Sequence, residues 1–268
     1  MKYAVLSKQI GQTPLECIEK YRKEKKLSLD IPLAYAGRLD PMAEGKLLIL
    51  IGDECKKLKD YAGLDKEYVF EILFGFKTDT GDILGLVESF SNPKNIAIKD
   101  IKTAAKTFIG THTFPYPRFS SKTIQGKPLH KWTLENRLSE IEIPKRESRI
   151  YRIKVKGLYT KQKDLLLEEI QNKIKTLTPV TDPEKAWGND FRKEPILNQW
   201  KKVLEETKEN EFLVAKLVAT VGSGTYIRTL AEKTAEKLNT HGLAFSIVRK
   251  TIGTYTRFGN FGFWLKKF

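Results

Sequence analysis

The chain has 268 residues, of which 40% are hydrophobic and 10% aromatic, so it can bury a substantial core in one large domain or two small ones. This composition excludes a disordered protein. Because 48 Lys and Arg residues stand against 33 Asp and Glu residues, the formal charge is +15 and the chain attracts polyanions. A nucleic acid is therefore the expected partner.

An acidic membrane is the competing partner for so basic a chain. No apolar run approaches the roughly 20 residues that span a bilayer. The apolar start, residues 3–6, is too short for a signal peptide. We therefore expect a soluble protein inside the cell, with no membrane partner.

The cysteines and histidines do not form a recognisable metal site. Cys17 and Cys55 each lie in a stretch of periodic apolar residues, which predicts two free buried thiols and no disulfide. The three histidines lack zinc-ligand spacing. Asp79 and Asp82 lack the further acidic positions of a calcium loop. We expect no metal.

In the first third of the chain, helix and strand signals alternate. Residues 13–16 combine an N-cap threonine, a proline at the first helical position and a glutamate at the third, which predicts a helix that ends near Lys26. Residues 31–45, rich in Pro and Gly, predict an irregular loop, and residues 46–51 a buried strand. Apolar side chains at every second position of residues 68–76 predict one face of a long strand.

Further elements follow along the chain. Residues 98–108 predict a helix that Gly110 can close. Residues 149–158 and 212–221 predict strands, and residues 227–238 a helix after a Gly-Ser-Gly turn. Several strands with few intervening helices argue against a doubly wound parallel sheet. The fold class is therefore expected to be α+β, that is, mixed α and β.

The composition changes between residues 160 and 210. Residues 163–177 and 196–208 are charged and helix-forming, and a stretch containing Pro, Trp and Gly, residues 178–195, separates them. We interpret residues 160–210 as a helical insertion. It either contacts RNA or covers a face of the sheet.

Asp40 lies in a loop suited to hold a carboxylate. Gly37 permits unusual backbone angles, and Pro41 fixes the residue that follows Asp40. The competing interpretation is a turn aspartate whose side chain caps a neighbouring amide. Local sequence leaves both open.

Arg228 falls in the first turn of the last predicted helix, where the helix dipole disfavours cations. A cation there suggests a phosphate or a buried carboxylate as partner, because the planar guanidinium suits two-point contacts. A surface arginine is the alternative. The Walker phosphate-binding pattern is absent. Tyr68, at the start of the apolar stripe, is either a core or a site residue.

One stretch interleaves basic and aromatic residues. Its members are Lys122, Lys127, His130, Lys131 and Trp132. This composition is typical of RNA binding by phosphate contact and stacking, but a solvated basic face has the same composition.

Five segments, in this order, resemble the motifs of the TruB family of pseudouridine synthases. These segments are residues 7–13, similar to the family's opening Lys-Pro-x-Gly-x-Thr-Ser; residues 36–45, similar to its catalytic Gly-x-Leu-Asp-Pro-x-Ala-x-Gly; residues 66–82, which match its Lys-x-Tyr strand and the Thr-Asp-Thr-x-Asp that follows; residues 224–228, similar to Gly-Thr-Tyr-Ile-Arg; and residues 248–251, similar to Leu-Arg-Arg-Thr. The resemblance covers nearly the whole chain except the insertion.

The resemblance implies roles for individual residues. Asp40 would be the nucleophile, at the uracil ring or at the ribose, and Tyr68 would stack on the flipped base. Arg228 would pair with Asp40 and keep it ionised, because an opposite charge stabilises a buried carboxylate. Val248 takes the place of an apolar residue that packs near the base. The residues expected to contact RNA are Arg38, Lys66, Lys122, Tyr226, Val248, Arg249 and Lys250.

The resemblance also implies a fold and a partner. It implies one catalytic domain, residues 1–268, with a central, mainly antiparallel sheet flanked by helices. Only 17 residues follow Thr251, too few for the RNA-binding domain that many members carry at the C-terminus. The expected substrate is the T-arm of tRNA, at the uridine conventionally numbered 55. The isomerisation has no redox change, so we expect no cofactor, and we expect a monomer that needs no protein partner.

Two rival functions stay open. One is the same chemistry on another structured RNA, and the other is a non-catalytic RNA-binding or RNA-folding protein on the same scaffold. The joint presence of Asp40, Tyr68 and Arg228 argues against the second, because RNA binding alone requires no carboxylate beside an anionic backbone. A DNA-binding module is disfavoured because no helix-turn-helix signature is found.

Overall fold

The computed structural model describes residues 2–93, 95–177, 192–258 and 261–268. The strands are, in chain order, β1 (Tyr3–Lys8), β2 (Leu33–Ala36), β3 (Ala43–Ile51), β4 (Asp65–Phe74), β5 (Phe76–Thr78), β6 (Val87–Phe90), β7 (Gly110–Pro115), β8 (Thr123–Ile124), β9 (Lys127–Pro128), β10 (Lys145–Gln162), β11 (Glu211–Val221), β12 (Gly242–Phe258) and β13 (Phe261–Lys267). The α-helices are α1 (Pro14–Glu24), α2 (Leu58–Ala62), α3 (Ile98–Lys106), α4 (Leu129–Leu134), α5 (Lys163–Lys175), α6 (Lys193–Glu206) and α7 (Ile227–Glu236).

A nine-stranded sheet forms the centre of the described structure. Its order is β1-β3-β12-β4-β11-β10-β7, with β2 paired to β3 and β13 paired to β12. Its pairs are antiparallel except β3 with β12. The prediction of an α+β fold with a mainly antiparallel central sheet is confirmed.

The first helix follows its capping signal. The Thr13 hydroxyl accepts a hydrogen bond from the Glu16 amide at 3.1 Å, and the Glu16 carboxylate accepts one from the Thr13 amide at 2.5 Å. Helix α1 ends at Glu24, two residues before the predicted end, and Lys26 adopts a left-handed backbone (φ 52°).

Two predictions about the strands were wrong. Residues 31–45 are not irregular throughout, because β2 pairs with β3 in register from Leu33 to Ala36. Residues 68–76 are not one strand, since Gly75 has φ 92° and ends β4. The following β5 leaves the main sheet and pairs with β6. A left-handed glycine breaks the strand although the apolar alternation continues through it.

The insertion lies in the hairpin between β10 and β11. Gln162 pairs with Glu211, so the ends of the inserted segment are adjacent. Helices α5 and α6 begin and end within three residues of their predicted limits, and residues 178–191 of the predicted linker lie outside the described residues. Each helix buries three side chains at spacings of four, which places them on one face. These fully buried residues are Leu166, Ile170, Ile174, Ile196, Trp200 and Leu204.

The principal core forms where α3, α5, α6 and α7 pack against β4, β10, β11 and β12. The insertion is therefore part of this core. Helix α1 packs separately on β1 and β3 through Cys17 and Ile18. Both cysteines are free thiols, but only Cys17 is buried. Cys55 is half-buried, so the prediction for it was wrong; it lies in a 3-10 turn, Gly52–Lys57, at the surface.

Candidate active site

A cavity of about 910 Å³ opens beside the middle of the main sheet. Its walls come from the loop before β3, from β4, from the turn before α7, and from β12. All three residues predicted to carry the chemistry, Asp40, Tyr68 and Arg228, line it. Its volume falls in the range of roughly 300 to 1,000 Å³ that is usual for small-ligand sites.

The Asp40 carboxylate pairs with the Arg228 guanidinium. Arg228 Nε and Nη2 both lie 2.8 Å from Asp40 Oδ2. Arg228 is 3% exposed, whereas the Asp40 side chain is 32% exposed, so the carboxylate faces the cavity. No other described residue donates a hydrogen bond to Oδ1. The interpretation of Asp40 as a turn aspartate capping an amide was therefore wrong.

The remaining donors of Arg228 are also engaged. Nη1 donates to the carbonyl oxygen of Thr80, and Nη2 donates to that of Phe119 at 3.1 Å. Asp82 Oδ2 lies 3.6 Å from Nε. The guanidinium is thus fixed in position from three sides before any ligand enters.

The charges around Arg228 affect one another. Burial acts to lower the pKa of Arg228, but the neighbouring Asp40 and Asp82 outweigh it and hold that pKa above its usual value. Burial raises the pKa of Asp82 to about 6, against the opposing effects of Arg228 and of the Thr80 hydroxyl. Asp82 therefore takes up a proton at a higher pH than an exposed aspartate does.

Tyr68 lies on β4 and lines the same cavity as Asp40. It pairs in register with Ala219 on one side and Arg249 on the other, and it is 8% exposed. Its hydroxyl has no hydrogen-bond partner among the described residues. The ring is part of the core edge and also part of the cavity wall, so the two interpretations from sequence are compatible.

Two fully buried cations hold the loop that carries Asp40, and sequence reasoning did not assign either this role. Lys8 Nζ donates to the carbonyl oxygen of Ala43 at 2.5 Å and to that of Pro41 at 3.4 Å. Arg249 donates to the carbonyl oxygens of Lys46 at 2.7 Å, Gly37 and Arg38. Burial lowers the pKa of Lys8 to about 8. The prediction that Arg249 contacts RNA was wrong, because its guanidinium is 0% exposed and is used inside the protein.

A cluster of cations occupies the end of the cavity near the Gly222–Thr225 turn. Burial, helped by the neighbouring Arg249 and Arg146, lowers the pKa of Lys66 to about 7. Within the described residues neither Lys66 nor Arg146 forms an ion pair with a carboxylate. Arg146 Nε and Thr225 Oγ1 are buried and have no hydrogen-bond partner. This arrangement suits an anion.

The other predicted contact residues lie at different depths. Tyr226 lines the cavity, and burial raises its pKa. Arg38 is exposed at the rim and donates to the Tyr35 hydroxyl at 3.2 Å. Lys122 and Lys250 are exposed and do not line the cavity. RNA contact by these four residues stays a prediction.

Val248 does not occupy the predicted position beside the base. It is half-buried, pairs in register with Val69 and does not line the cavity, whereas Ile247, 4% exposed, does. Adjacent residues of a strand point to opposite faces, and two bulges in the pairing of β12 with β4 shift the register. The apolar wall residue at this position is therefore Ile247.

Both rings in the stretch of basic and aromatic residues are largely buried. His130 is 6% exposed and its Nδ1 lies 3.0 Å from the Ser120 carbonyl oxygen. Trp132 is 5% exposed, its Nε1 donates to the Ile124 carbonyl oxygen, and Lys127 covers its ring at 4.4 Å. The stacking interpretation was therefore wrong for Trp132, whereas for His130, which lines the cavity, it stays a prediction.

Within the described ranges no group of three or more His, Cys, Asp or Glu side chains is placed to hold a metal ion. No helix in the described part of the chain is long and apolar enough to cross a membrane.

The overall fold matches that of a solved structure. A chain of the "Crystal Structure of a Cbf5-Nop10-Gar1 Complex" superposes with a TM-score of 0.54 at 15% identity, covering 94% of this chain and 49% of that one. At this identity the likeness establishes the fold alone.

The sequence matches a family model described as "TruB family pseudouridylate synthase (N terminal domain)" over residues 25–174. The chain is 30% identical over 240 residues to "tRNA pseudouridine synthase B" of Caldicellulosiruptor saccharolyticus, covering 80% of each protein. It is 34% identical over 164 residues to "tRNA pseudouridine synthase 4" of Saccharomyces cerevisiae, covering 58% of this chain and 41% of that protein. The chain belongs to the TruB family of pseudouridylate synthases.

The matched lengths differ between relatives. The match covers 49% of the "tRNA pseudouridine synthase B" of Nostoc sp., at 31% identity over 150 residues. The chain thus aligns with about half the length of most of these curated relatives, and with four fifths of one.

Proposed function

We propose that this chain isomerises a uridine to pseudouridine in the T-loop of tRNA, at the position conventionally numbered 55, with Asp40 as the nucleophile. The observation that carries the proposal is the Asp40 carboxylate held at 2.8 Å by a buried arginine and facing a cavity. The names of the relatives, tRNA pseudouridine synthases B and 4, support tRNA as the substrate.

The geometry suits the chemistry. In the isomerisation the bond from the ribose C1′ to N1 of uracil breaks and the base rotates. C1′ then bonds to C5, C5 loses its proton, N1 ends with a proton, and Asp40 is released as a free carboxylate. The ion pair with Arg228 orients the Asp40 carboxylate, the group that would act as the nucleophile. Because Arg228 covers only Oδ2, Oδ1 can approach the substrate. Tyr68 supplies a ring on which the flipped base can stack, which offsets the few kcal/mol that unstacking costs.

The cations at the Gly222–Thr225 end of the cavity would contact the RNA backbone. Among the residues that the structure describes, Lys66 and Arg146 have no carboxylate partner, and Arg146 Nε is an unused donor. A phosphate beside the flipped nucleotide would satisfy both. The predicted contacts Arg38, Tyr226 and Lys122 extend from this cavity to its rim and the surface beyond. Because all three catalytic residues come from one chain, we propose that the protein acts as a monomer without a protein partner.

The test is Asp40→Asn, which keeps the size of the side chain and removes the nucleophile. We expect pseudouridine formation to vanish while tRNA binding persists. Asp53→Asn is the matched control, because Asp53 is exposed and pairs with Lys56 at the surface. Substantial pseudouridine formation by Asp40→Asn would refute the assignment, and loss of binding as well as turnover would point to a structural role.

A further inference from the structure

Helix α6 is joined to the segment between β5 and β6 by side chains at three positions. Arg192, which precedes the helix, donates to both Asp79 oxygens, from Nη1 at 2.6 Å and from Nη2 at 3.4 Å. Gln199 donates to the carbonyl oxygen of Val87 and accepts from its amide, both at 2.8 Å. Trp200 Nε1 donates to the carbonyl oxygen of Ile83 at 3.1 Å.

The segment held in this way is the one that positions Arg228. Thr80, next to Asp79 in the chain, gives its carbonyl oxygen to Arg228 Nη1. Asp82, next to Ile83, gives the carboxylate that lies 3.6 Å from Arg228 Nε. The insertion therefore contacts two residues, Asp79 and Ile83, that are the direct chain neighbours of groups surrounding the Arg228 guanidinium.

Arg192 also contacts the other side of that site. Its guanidinium carbon lies 4.7 Å from the centroid of the Phe119 ring, within the distance of a cation–π interaction. The Phe119 carbonyl oxygen is the acceptor of Arg228 Nη2 at 3.1 Å. One insertion residue thus touches both segments whose carbonyls hold Arg228.

The Arg192 contacts are of the kind that fixes geometry. The side chains of Arg192 and Asp79 are 25% and 15% exposed, so water screens their pair only in part. A guanidinium that donates to both carboxylate oxygens constrains orientation as well as distance.

We propose that Arg192 is a positioning residue for Arg228, acting through Asp79 and Phe119, and that the insertion serves the reaction by this route and not by binding RNA. The inference rests on the proposed function of Asp40 and Arg228. Loss of Arg192 would let the Thr80 and Phe119 carbonyls move apart, so that Arg228 no longer holds Asp40 in one orientation.

The experiment compares Arg192→Ala and Arg192→Lys with Lys201→Ala, which removes the same charge from an exposed position of α6. Each variant is assayed for its tRNA dissociation constant and for its single-turnover rate at saturating tRNA, with a melting curve to confirm folding. We expect Arg192→Ala to lower the rate by about tenfold or more with the dissociation constant nearly unchanged. Arg192→Lys should recover part of the rate, and Lys201→Ala should match the wild type.

A second measurement does not depend on turnover. The ¹H–¹⁵N resonance of Arg228 Nε, assigned by its loss in Arg228→Lys, should shift or broaden in Arg192→Ala and stay unchanged in Lys201→Ala. If Arg192→Ala leaves both the resonance and the rate unchanged, the proposal is overturned. Weaker tRNA binding by Arg192→Ala at an unchanged rate would also overturn it, because Arg192 would then be an RNA contact. A wild-type protein that forms no pseudouridine would refute the proposed function, while the resonance would still test the positioning role.

Discussion

Replacing Arg228 by lysine keeps the positive charge and removes the planar fork. The guanidinium donates to three acceptors, the Asp40 carboxylate and the carbonyl oxygens of Thr80 and Phe119. A single ammonium group at the end of a lysine cannot reach all three from one position. We expect it to keep Asp40, the charged partner, and to leave both carbonyl oxygens unpaired.

These contacts set the size of the decrease in unfolding free energy expected for Arg228→Lys. A hydrogen bond to a charged group contributes about 1.5 to 3 kcal/mol, so two lost bonds at the lower bound cost about 3 kcal/mol of unfolding free energy. For a chain of this size about 2 to 4 °C of melting temperature corresponds to each kcal/mol, which gives a decrease of roughly 6 to 12 °C. Misorientation of Asp40 should lower turnover by about a hundredfold or more.

The assay pairs a calorimetric melting curve with pseudouridine formation at saturating tRNA. Arg137→Lys is the matched control, because Arg137 is exposed and pairs with the surface residue Glu140. The control should melt and turn over as the wild type does. An Arg228→Lys protein that melts within about 2 °C of wild type and is fully active would refute the argument that the fork geometry is used.

Three further predictions follow from the same structure. Replacing residues 163–210 by a short turn between Gln162 and Glu211 should lower the melting temperature sharply, because six fully buried side chains leave the core. The slope of log tRNA affinity against log salt should stay unchanged if the segment makes no phosphate contacts. Lys66 has a pKa of about 7, so it loses its positive charge as the pH rises from 6 to 8, and tRNA affinity should fall over this range. Anisotropy titrations of Lys66→Met should show weaker binding without that pH dependence. The pKa of Asp82 is about 6 in the folded protein and near 4 in the unfolded chain. Protonation of Asp82 should therefore raise the free energy of unfolding as the pH falls from 6 to 4. Urea titrations of Asp82→Asn over this range should lack that gain.

Local signals predicted the elements that depend on local physics. The capping box at Thr13 and Glu16 predicted the start of α1, and helix-forming composition predicted α5 and α6. A cation in the first turn of a helix predicted a partner such as a carboxylate, and Arg228 does pair with one. That the carboxylate is Asp40, 188 residues away in the chain, came from the family resemblance.

The site predictions that were wrong depend on how distant strands pair in the main sheet. Whether Ile247 or Val248 faces the cavity depends on bulges in the pairing of β12 with β4, and no local pattern on β12 reports them. Arg249 looks like a phosphate contact in sequence, but it is buried under the Asp40 loop and donates to carbonyl oxygens. The joint role of Lys8 and Arg249 likewise depends on β1, β3 and β12 meeting in the sheet.

The central claim is most directly tested by mapping pseudouridine at single-nucleotide resolution in an unmodified tRNA transcript, before and after treatment with the purified protein. The account predicts one new pseudouridine, at the T-loop uridine, formed by the wild type and absent after treatment with Asp40→Asn. No new pseudouridine with the wild-type protein, or the same pseudouridine with Asp40→Asn, would contradict it.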